Sequence, residues 1–245
     1  MMNVVIFGAT SAIAEEIAKC YVSKAEHIIL LARNEDKLEM IANDLKVRGA
    51  NAVSTLYFSA LEYTQHIELV NEVFSMADKI DVCVIAHGSL PSQEACQNDV
   101  EITLKEIAIN GTSVISLLTL LANRFEKQGS GSIVVISSVA GDRGRQSNYV
   151  YGAAKGMVST FLQGLAQRLS KNDVHILDIK PGFVDTPMTE LFVKGILWSK
   201  PSQVAKTIVK RIDCRSRRNY VPGFWQLIMF VIKVIPQSIF NKIKL

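Results

Sequence analysis

Residues 4–14, VVIFGATSAIA, pass from an apolar run through a turn of small residues into a segment with helical spacing of apolar positions as far as residue 21. The run ending at Gly8 reads as a strand buried on both faces. Strand, tight turn and helix in this order open a βαβ unit, where amides at a helix N-terminus can receive a pyrophosphate. Gly8 is the only glycine of this turn. Ala12 and Ala14 stand where a dinucleotide turn carries the others, while Thr10 and Ser11 offer hydroxyls.

The alternation continues along the chain. Apolar runs at 27–31, 52–58, 82–86, 132–136 and 174–179 are separated by helix-patterned stretches at 35–47, 65–77, 100–127 and 149–170. The stretch at 100–127 is apolar on most faces and predicts a helix covered on both sides. Continuous apolar strands between helices predict a parallel sheet covered on both faces: a three-layer, doubly wound α/β fold of the Rossmann type, with its ligand at the carboxyl ends of the strands. With 245 residues, 49% of them hydrophobic, the chain can build a full core without a metal or disulfide staple. Residues 1–193 are expected to form the dinucleotide-binding and catalytic domain, and residues 194–245 a basic, apolar extension of it. The four cysteines show no metal-ligand spacing, which fits a reducing, cytoplasmic compartment, and the histidines form no HExxH pattern. No basic region precedes the first apolar run, so no secretory signal is expected.

Charge divides the chain. Residues 194–245 hold eleven Lys and Arg against one acid, Asp213, whereas residues 1–193 hold sixteen against twenty-two acids. A basic segment points to an anionic partner. Here it flanks the apolar run 223–235, GFWQLIMFVIKVI, which is followed by Pro236 and by Ile239, Phe240 and Ile243 set against Lys242 and Lys244. A dozen helical residues cover about 18 Å, short of a bilayer core of about 30 Å. The pattern suits a segment lying in a membrane interface, peripheral on the inner face of the cytoplasmic membrane; a C-terminal arm buried in a dimer is the alternative. Nucleic acid fits less well than either.

The chemistry-bearing residues fall in the second half. Tyr151 and Lys155 are four apart on one helical face. Ser138 follows the apolar run 132–136, and Pro181-Gly182 follows the run 174–179, so both lie on the rim where a ligand binds. At the end of the second strand Ala32 leaves no acid for a ribose 2′-hydroxyl, and Arg33 can pair with a 2′-phosphate, which favours NADP(H) over NAD(H).

On these motifs, together with Asn110 in Ala108-Ile109-Asn110-Gly111 and Thr186 after Pro181-Gly182, residues 1 to about 190 resemble the short-chain dehydrogenase/reductase family. The resemblance implies a homo-oligomeric carbonyl reductase. Tyr151 donates a proton to the substrate carbonyl, Lys155 lowers the tyrosine pKa and holds the nicotinamide ribose, Ser138 binds the carbonyl oxygen, and Asn110 supports a proton-relaying water. It also implies a cofactor lying along Gly8, Thr10, Ser11, Ala12 and Ile13, past Arg33, Ser59, Ala60, Ala86 and Gly88, and against Tyr151, Lys155, Pro181, Gly182, Val184 and Thr186. Three features depart from the family pattern: Ile85-Ala86-His87-Gly88 replaces Asn-Asn-Ala-Gly, Ser59 replaces an adenine-contacting aspartate, and Ala12 and Ala14 replace glycines.

The segments Ala86-His87-Gly88, Gly141-Asp142-Arg143-Gly144-Arg145 and the tail from Phe224 to Phe240 resemble more narrowly the branch that reduces the 2-keto group of a decaprenylphosphoryl pentose. That branch works with a flavin-dependent oxidase that makes the keto sugar. In such a reaction Arg143 and Arg145, lying between Ser138 and Tyr151, are expected to hold the substrate phosphate. A reductase of a soluble or acyl-linked ketone would keep the same chemical residues. A non-catalytic, membrane-bound NADP sensor would have no need of Ser138, Tyr151 and Lys155.

Overall fold

The computed structural model describes residues 2–217 and 219–243. Met1, Arg218, Lys244 and Leu245 lie outside the described residues, and with them the Lys244 anchor expected of the tail. Seven strands form one sheet: β1 (Met2–Phe7), β2 (Ala25–Ala32), β3 (Ala52–Tyr57), β4 (Val82–Ile85), β5 (Ser130–Ile136), β6 (Asp173–Pro181) and β7 (Tyr220–Val221). Their order is β3-β2-β1-β4-β5-β6-β7, and every pairing is parallel. The helices are α1 (Ala12–Tyr21), α2 (Glu35–Val47), α3 (His66–Ser75), α4 (Gln93–Asn98), α5 (Val100–Ile107), α6 (Ser113–Gln128), α7 (Tyr149–Arg168), α8 (Pro201–Asp213), α9 (Trp225–Val234) and α10 (Gln237–Phe240).

Alternation along the strands builds two cores. Val4 and Ile6 of β1 join Ile28 and Leu30 of β2 on one face, under α1, α2 and α8. Val5 and Phe7 join Ile29 and Leu31 on the other, under α3, α6 and α7. This is the doubly wound, three-layer architecture read from the sequence. The strand order reverses between β1 and β4, and the crevice at their carboxyl ends is where such sheets bind ligands.

Two features differ from the sequence reading. The continuous helix expected over 100–127 is broken by a π turn at Ala108–Thr112, between α5 and α6. One extra residue per turn leaves the apolar pattern nearly unchanged, so periodicity does not reveal it. The sheet and its core also continue past residue 193. In α8, Val204, Ala205, Ile208, Val209 and Ile212 enter the same core as Ala14, Ile17, Ala18 and Tyr21 of α1. In β7, Tyr220 and Val221 pair with Lys180 and Pro181 of β6. A two-residue strand is too short to show a period. Among the described residues the helical run at Val100–Gln128 alone is long and apolar enough to cross a bilayer. Leu117, Leu118, Leu121 and Phe125 of that run sit in the core beneath the sheet.

Ile208 is fully buried at the α8–α1 contact. Ile208→Ala is expected to lower unfolding stability by about 2–5 kcal/mol in chemical denaturation, and Leu227→Ala, on the exposed side of α9, by less than about 0.5 kcal/mol.

Candidate active site

The site is assembled by a backbone contact. After β5 the chain makes a short helical turn at Val139–Asp142, with Ser138 as its cap and Ser138 Oγ accepting from Ala140 N at 3.1 Å. This turn presses on the first turns of α7. A Cβ on Gly141 would lie 2.7 Å from Gly156 N, one on Gly156 would lie 2.9 Å from Gly141 O, and one on Gly152 would lie 2.8 Å from Ala140 O. With hydrogens at these positions the two backbones meet, and Ser138 comes within hydrogen-bond reach of Tyr151. Lys155, one helical turn beyond Tyr151, is buried; its Nζ lies 5.7 Å from the tyrosine ring and donates to Ile136 O at 3.2 Å. The three residues expected to carry the chemistry thus converge at the carboxyl end of β5.

Their electrostatics follow from burial. Burial pushes the Tyr151 phenol up to about 12, against the opposing hydrogen bond with Ser138. Burial draws Lys155 down to about 8, and the Asp178 carboxylate works the other way. Net of these, desolvation raises the phenol rather than lowering it, and Tyr151 keeps its proton at neutral pH. Asp178 accepts from Ser137 Oγ. Its other oxygen lies 3.7 Å from Lys180 Nζ, which donates to Asp142 at 2.5 Å, and Tyr220 Oη donates to the same Asp142 carboxylate at 2.7 Å. This group joins the end of β5, β6, β7 and the turn that follows Ser138.

Asn110 sits in the π turn, fully buried. Its Oδ1 accepts from Ser89 N at 3.0 Å, and its Nδ2 donates to Ser89 Oγ, Glu106 O and Glu106 Oε2 at 3.1–3.2 Å. The side chain is thus engaged by protein and holds the loop after β4. A Cβ on Gly88 of that loop would lie 2.8 Å from Asn110 Oδ1 and 3.4 Å from Lys155 Nζ, so loop, π turn and lysine meet there. His87 turns away from the site, with Nε2 2.8 Å from Ser113 Oγ and its ring 5.1 Å from Phe58. Ser113 donates to Ile109 O at 2.7 Å, so His87 donates through Nε2 and leaves Nδ1 buried without a partner. Burial first, then Lys155 and His66, pushes His87 down to about 3 and keeps it neutral.

The residues expected to hold a dinucleotide fit that role. Gly8 has φ 76°, and a Cβ there would lie 2.4 Å from His87 N, so the turn packs directly against the β4 loop and only glycine fits at this point. Ser11 caps α1 by accepting from Ala14 N at 3.2 Å, which points the first amides of α1, Ala12 and Ile13 included, out of the turn. Lys37 Nζ donates to Thr10 O at 2.8 Å and brings a cation to the same turn, which the sequence reading did not include. Arg33, just past β2, is exposed. Ser59 and Ala60 follow β3, with Ser59 O near His66 Nε2 at 3.3 Å, and Ala86 follows β4. Pro181 ends β6, Val184 is buried, and Thr186 caps the short turn Pro187–Thr189.

The C-terminal helix closes one side, a second feature absent from the sequence reading. A Cβ on Gly182 would lie 1.9 Å from the Trp225 ring, and Trp225 also packs with Met229 against Val139, next to Ser138. Trp225 is buried, and its Nε1 has no hydrogen-bond partner. The only sequence signal was an aromatic residue opening an apolar helix.

The structure corrects the expectation for Arg143. Its guanidinium donates to Ile232 O, to Lys233 O at 3.3 Å, to Ile235 O at 2.7 Å and to Gln237 Oε1 at 3.2 Å, and it lies 3.8 Å over the Phe240 ring. These carbonyls end α9, where a cation is favoured, and with Gln237 they engage both terminal nitrogens of the guanidinium in holding the tail. Arg145 keeps a buried Nε without a partner, and burial draws its guanidinium below the ordinary value while Asp142 opposes.

A family profile described as short chain dehydrogenase matches residues 2–195. An uncharacterized oxidoreductase of Mycobacterium tuberculosis is 34% identical over 239 residues, covering 98% of this chain and 96% of its own. One of Streptomyces coelicolor is 28% identical over 242 residues, covering 98% and 95%. Among solved structures, a short-chain dehydrogenase from Sphingobium yanoikuyae in complex with NADPH superposes with a TM-score of 0.80 at 22% identity, covering 97% of this chain and 98% of that one. An actinorhodin polyketide ketoreductase with NADPH gives 0.77 at 23%, covering 86% and 90%.

The Gly182–Trp225 contact leaves no room for a methyl group. Gly182→Ala is expected to push α9 off the Pro181 loop, seen as a loss of near-ultraviolet circular dichroism from Trp225 and faster proteolysis after residue 222. An unchanged spectrum would show that α9 does not rest on this glycine.

Proposed function

This chain belongs to the short-chain dehydrogenase family, and we propose that it is an NADPH-dependent reductase of a ketone carried on an apolar substrate, a polyprenyl-phosphate-linked keto sugar being the substrate class favoured. The observation that carries the reading is the convergence of Ser138, a protonated Tyr151 and a buried Lys155 at the carboxyl ends of parallel strands. When bound, the nicotinamide supplies a hydride. Tyr151 donates its proton to the carbonyl oxygen as negative charge develops there, and Ser138 hydrogen-bonds the same oxygen. The Lys155 ammonium, kept charged with the help of Asp178, stabilises the phenolate left behind.

The preference for NADPH is supported by Ala32, which leaves no acid at the ribose, by exposed Arg33 and by Lys37 at the Thr10 carbonyl. NADPH is also what the solved Sphingobium dehydrogenase and the polyketide ketoreductase hold. An apolar substrate is supported by the exposed Phe183, Met188 and Phe192 that follow Gly182. With Arg143 engaged by the tail, Arg145 is the phosphate contact that remains. A reaction that oxidises the alcohol to the ketone, such as that of a flavin-dependent oxidase, would supply the substrate. Free thiols at Cys20, Cys83, Cys96 and Cys214 suit a cytoplasmic setting.

Three measurements test this reading. Purified protein offered NADPH and a panel of keto substrates should turn over prenyl-phosphate keto sugars faster than small soluble ketones; the reverse order would favour a soluble or acyl-linked ketone. Tyr151→Phe should lower reduction by at least about a hundredfold with cofactor binding retained. The wild-type kcat/KM should be level to pH about 8 and fall above it, because deprotonation removes the Lys155 charge. Arg33→Ala should raise the KM for NADPH at least about tenfold and leave that for NADH nearly unchanged, the loss of one charged phosphate contact.

A further inference from the structure

We propose that the outward face of α9 and the segment 191–197 form one surface that seats this protein on an anionic bilayer. The proposal does not depend on the identity of the ketone. In α9 the inner face is buried: Trp225 and Met229 pack against Val139. The outer face is largely apolar, with Leu227 70%, Phe230 61% and Val234 62% exposed beside the polar Gln226 and Lys233. A contiguous exposed apolar face of this kind marks an interaction surface. On the neighbouring segment Leu191, Val193 and Ile196 are each at least 96% exposed. The two elements are joined by a run of rings: Phe192 meets Trp198, Trp198 stacks on Phe183, Phe183 meets Trp225, and Trp225 stacks on Phe224, at centroid distances of 5.1–6.4 Å.

The α9 side of this surface is anchored. Arg143 grips the carbonyls that end α9 and the ring of Phe240 in α10, so the tail is fixed to the turn that carries Ser138. Lipid would therefore meet a preformed face, and the catalytic crevice would open next to it.

Charge selects the occupant. From Leu191 to Leu245 the sole acid is Asp213, and it is paired with Lys24 at 2.7 Å. Lys200, Lys233 and Lys242 are exposed around the apolar residues, while Lys194 is paired with Asp185. A second copy would bring an identical basic rim against this one, and like charges oppose that pairing. An anionic headgroup layer complements the rim, and its acyl boundary receives Leu227, Phe230 and Val234. At ten residues, α9 reaches about 15 Å and lies in the interface without crossing it.

The test uses the full-length protein sedimented with vesicles of phosphatidylcholine and phosphatidylglycerol, or of phosphatidylcholine alone. Saturable binding is expected on the mixed vesicles, at least about tenfold weaker on the neutral ones and weakened by salt. A variant carrying L227Q, F230Q and V234Q should bind the mixed vesicles at least about tenfold more weakly, with unchanged thermal unfolding and unchanged NADPH-dependent reduction of a small soluble ketone. Wild-type protein that ignores anionic vesicles, or a triple variant that binds as the wild type does, would overturn the proposal. So would light scattering that finds a wild-type dimer dissociated by the triple substitution, since the face would then belong to a second copy. Reduction of the soluble ketone is read in every arm, so wild-type protein that turns over the ketone yet ignores anionic vesicles refutes the docking surface alone.

Discussion

The contact on which the rest of the site depends is that between Gly141 and Gly156, with Gly152 against Ala140 beside it. Two backbones approach so closely there that any side chain would collide. Glycine lowers the helical stability of α7 by up to about 1 kcal/mol at each of the two positions compared with alanine. In exchange, Ser138 is set against Tyr151 by backbone packing rather than by flexible side chains. A general acid must lie within hydrogen-bond reach of the atom it protonates, and this packing secures that reach.

The same turn organises the charges and the tail. Asp142 takes Lys180 and the Tyr220 hydroxyl, and so ties the short last strand to the catalytic turn. Arg143, the next residue, takes the carbonyls that end α9. One five-residue loop thus joins the chemistry to the C-terminal helix, and Trp225 completes the join by resting on Gly182. A displacement of the tail would reach Ser138 and the Pro181 loop together. Burial has a further consequence for the acid: it raises the phenol of Tyr151 and makes it a weaker acid, so the Lys155 charge beside it matters all the more, while burial also brings Lys155 close to losing its own proton.

Much of this was legible in the sequence. Buried parallel strands need unbroken apolar runs, helices covering them need a 3.6-residue period, and a phosphate turn needs small residues, so the fold and the Gly8 turn could be read directly. Tyr151 and Lys155 share a helical face by spacing alone, and Ser138 follows from its place at a strand end. The charge of the last fifty residues and the apolar run within them were equally plain.

Tertiary structure decided what depends on contacts between distant residues. The role of Arg143 was one: a guanidinium in a glycine-rich loop beside a reaction centre suits a phosphate, but carbonyls ninety residues away reach it first. The side chain of Asn110 was another, since its partners Ser89 and Glu106 are set by the π turn, and one inserted residue leaves no periodic trace. Strand β7 has two residues and exists only because β6 offers an edge. The sequence determined which residues are present and the local shapes they favour; which donor meets which acceptor, and which group loses its water, were set only when the chain closed on itself.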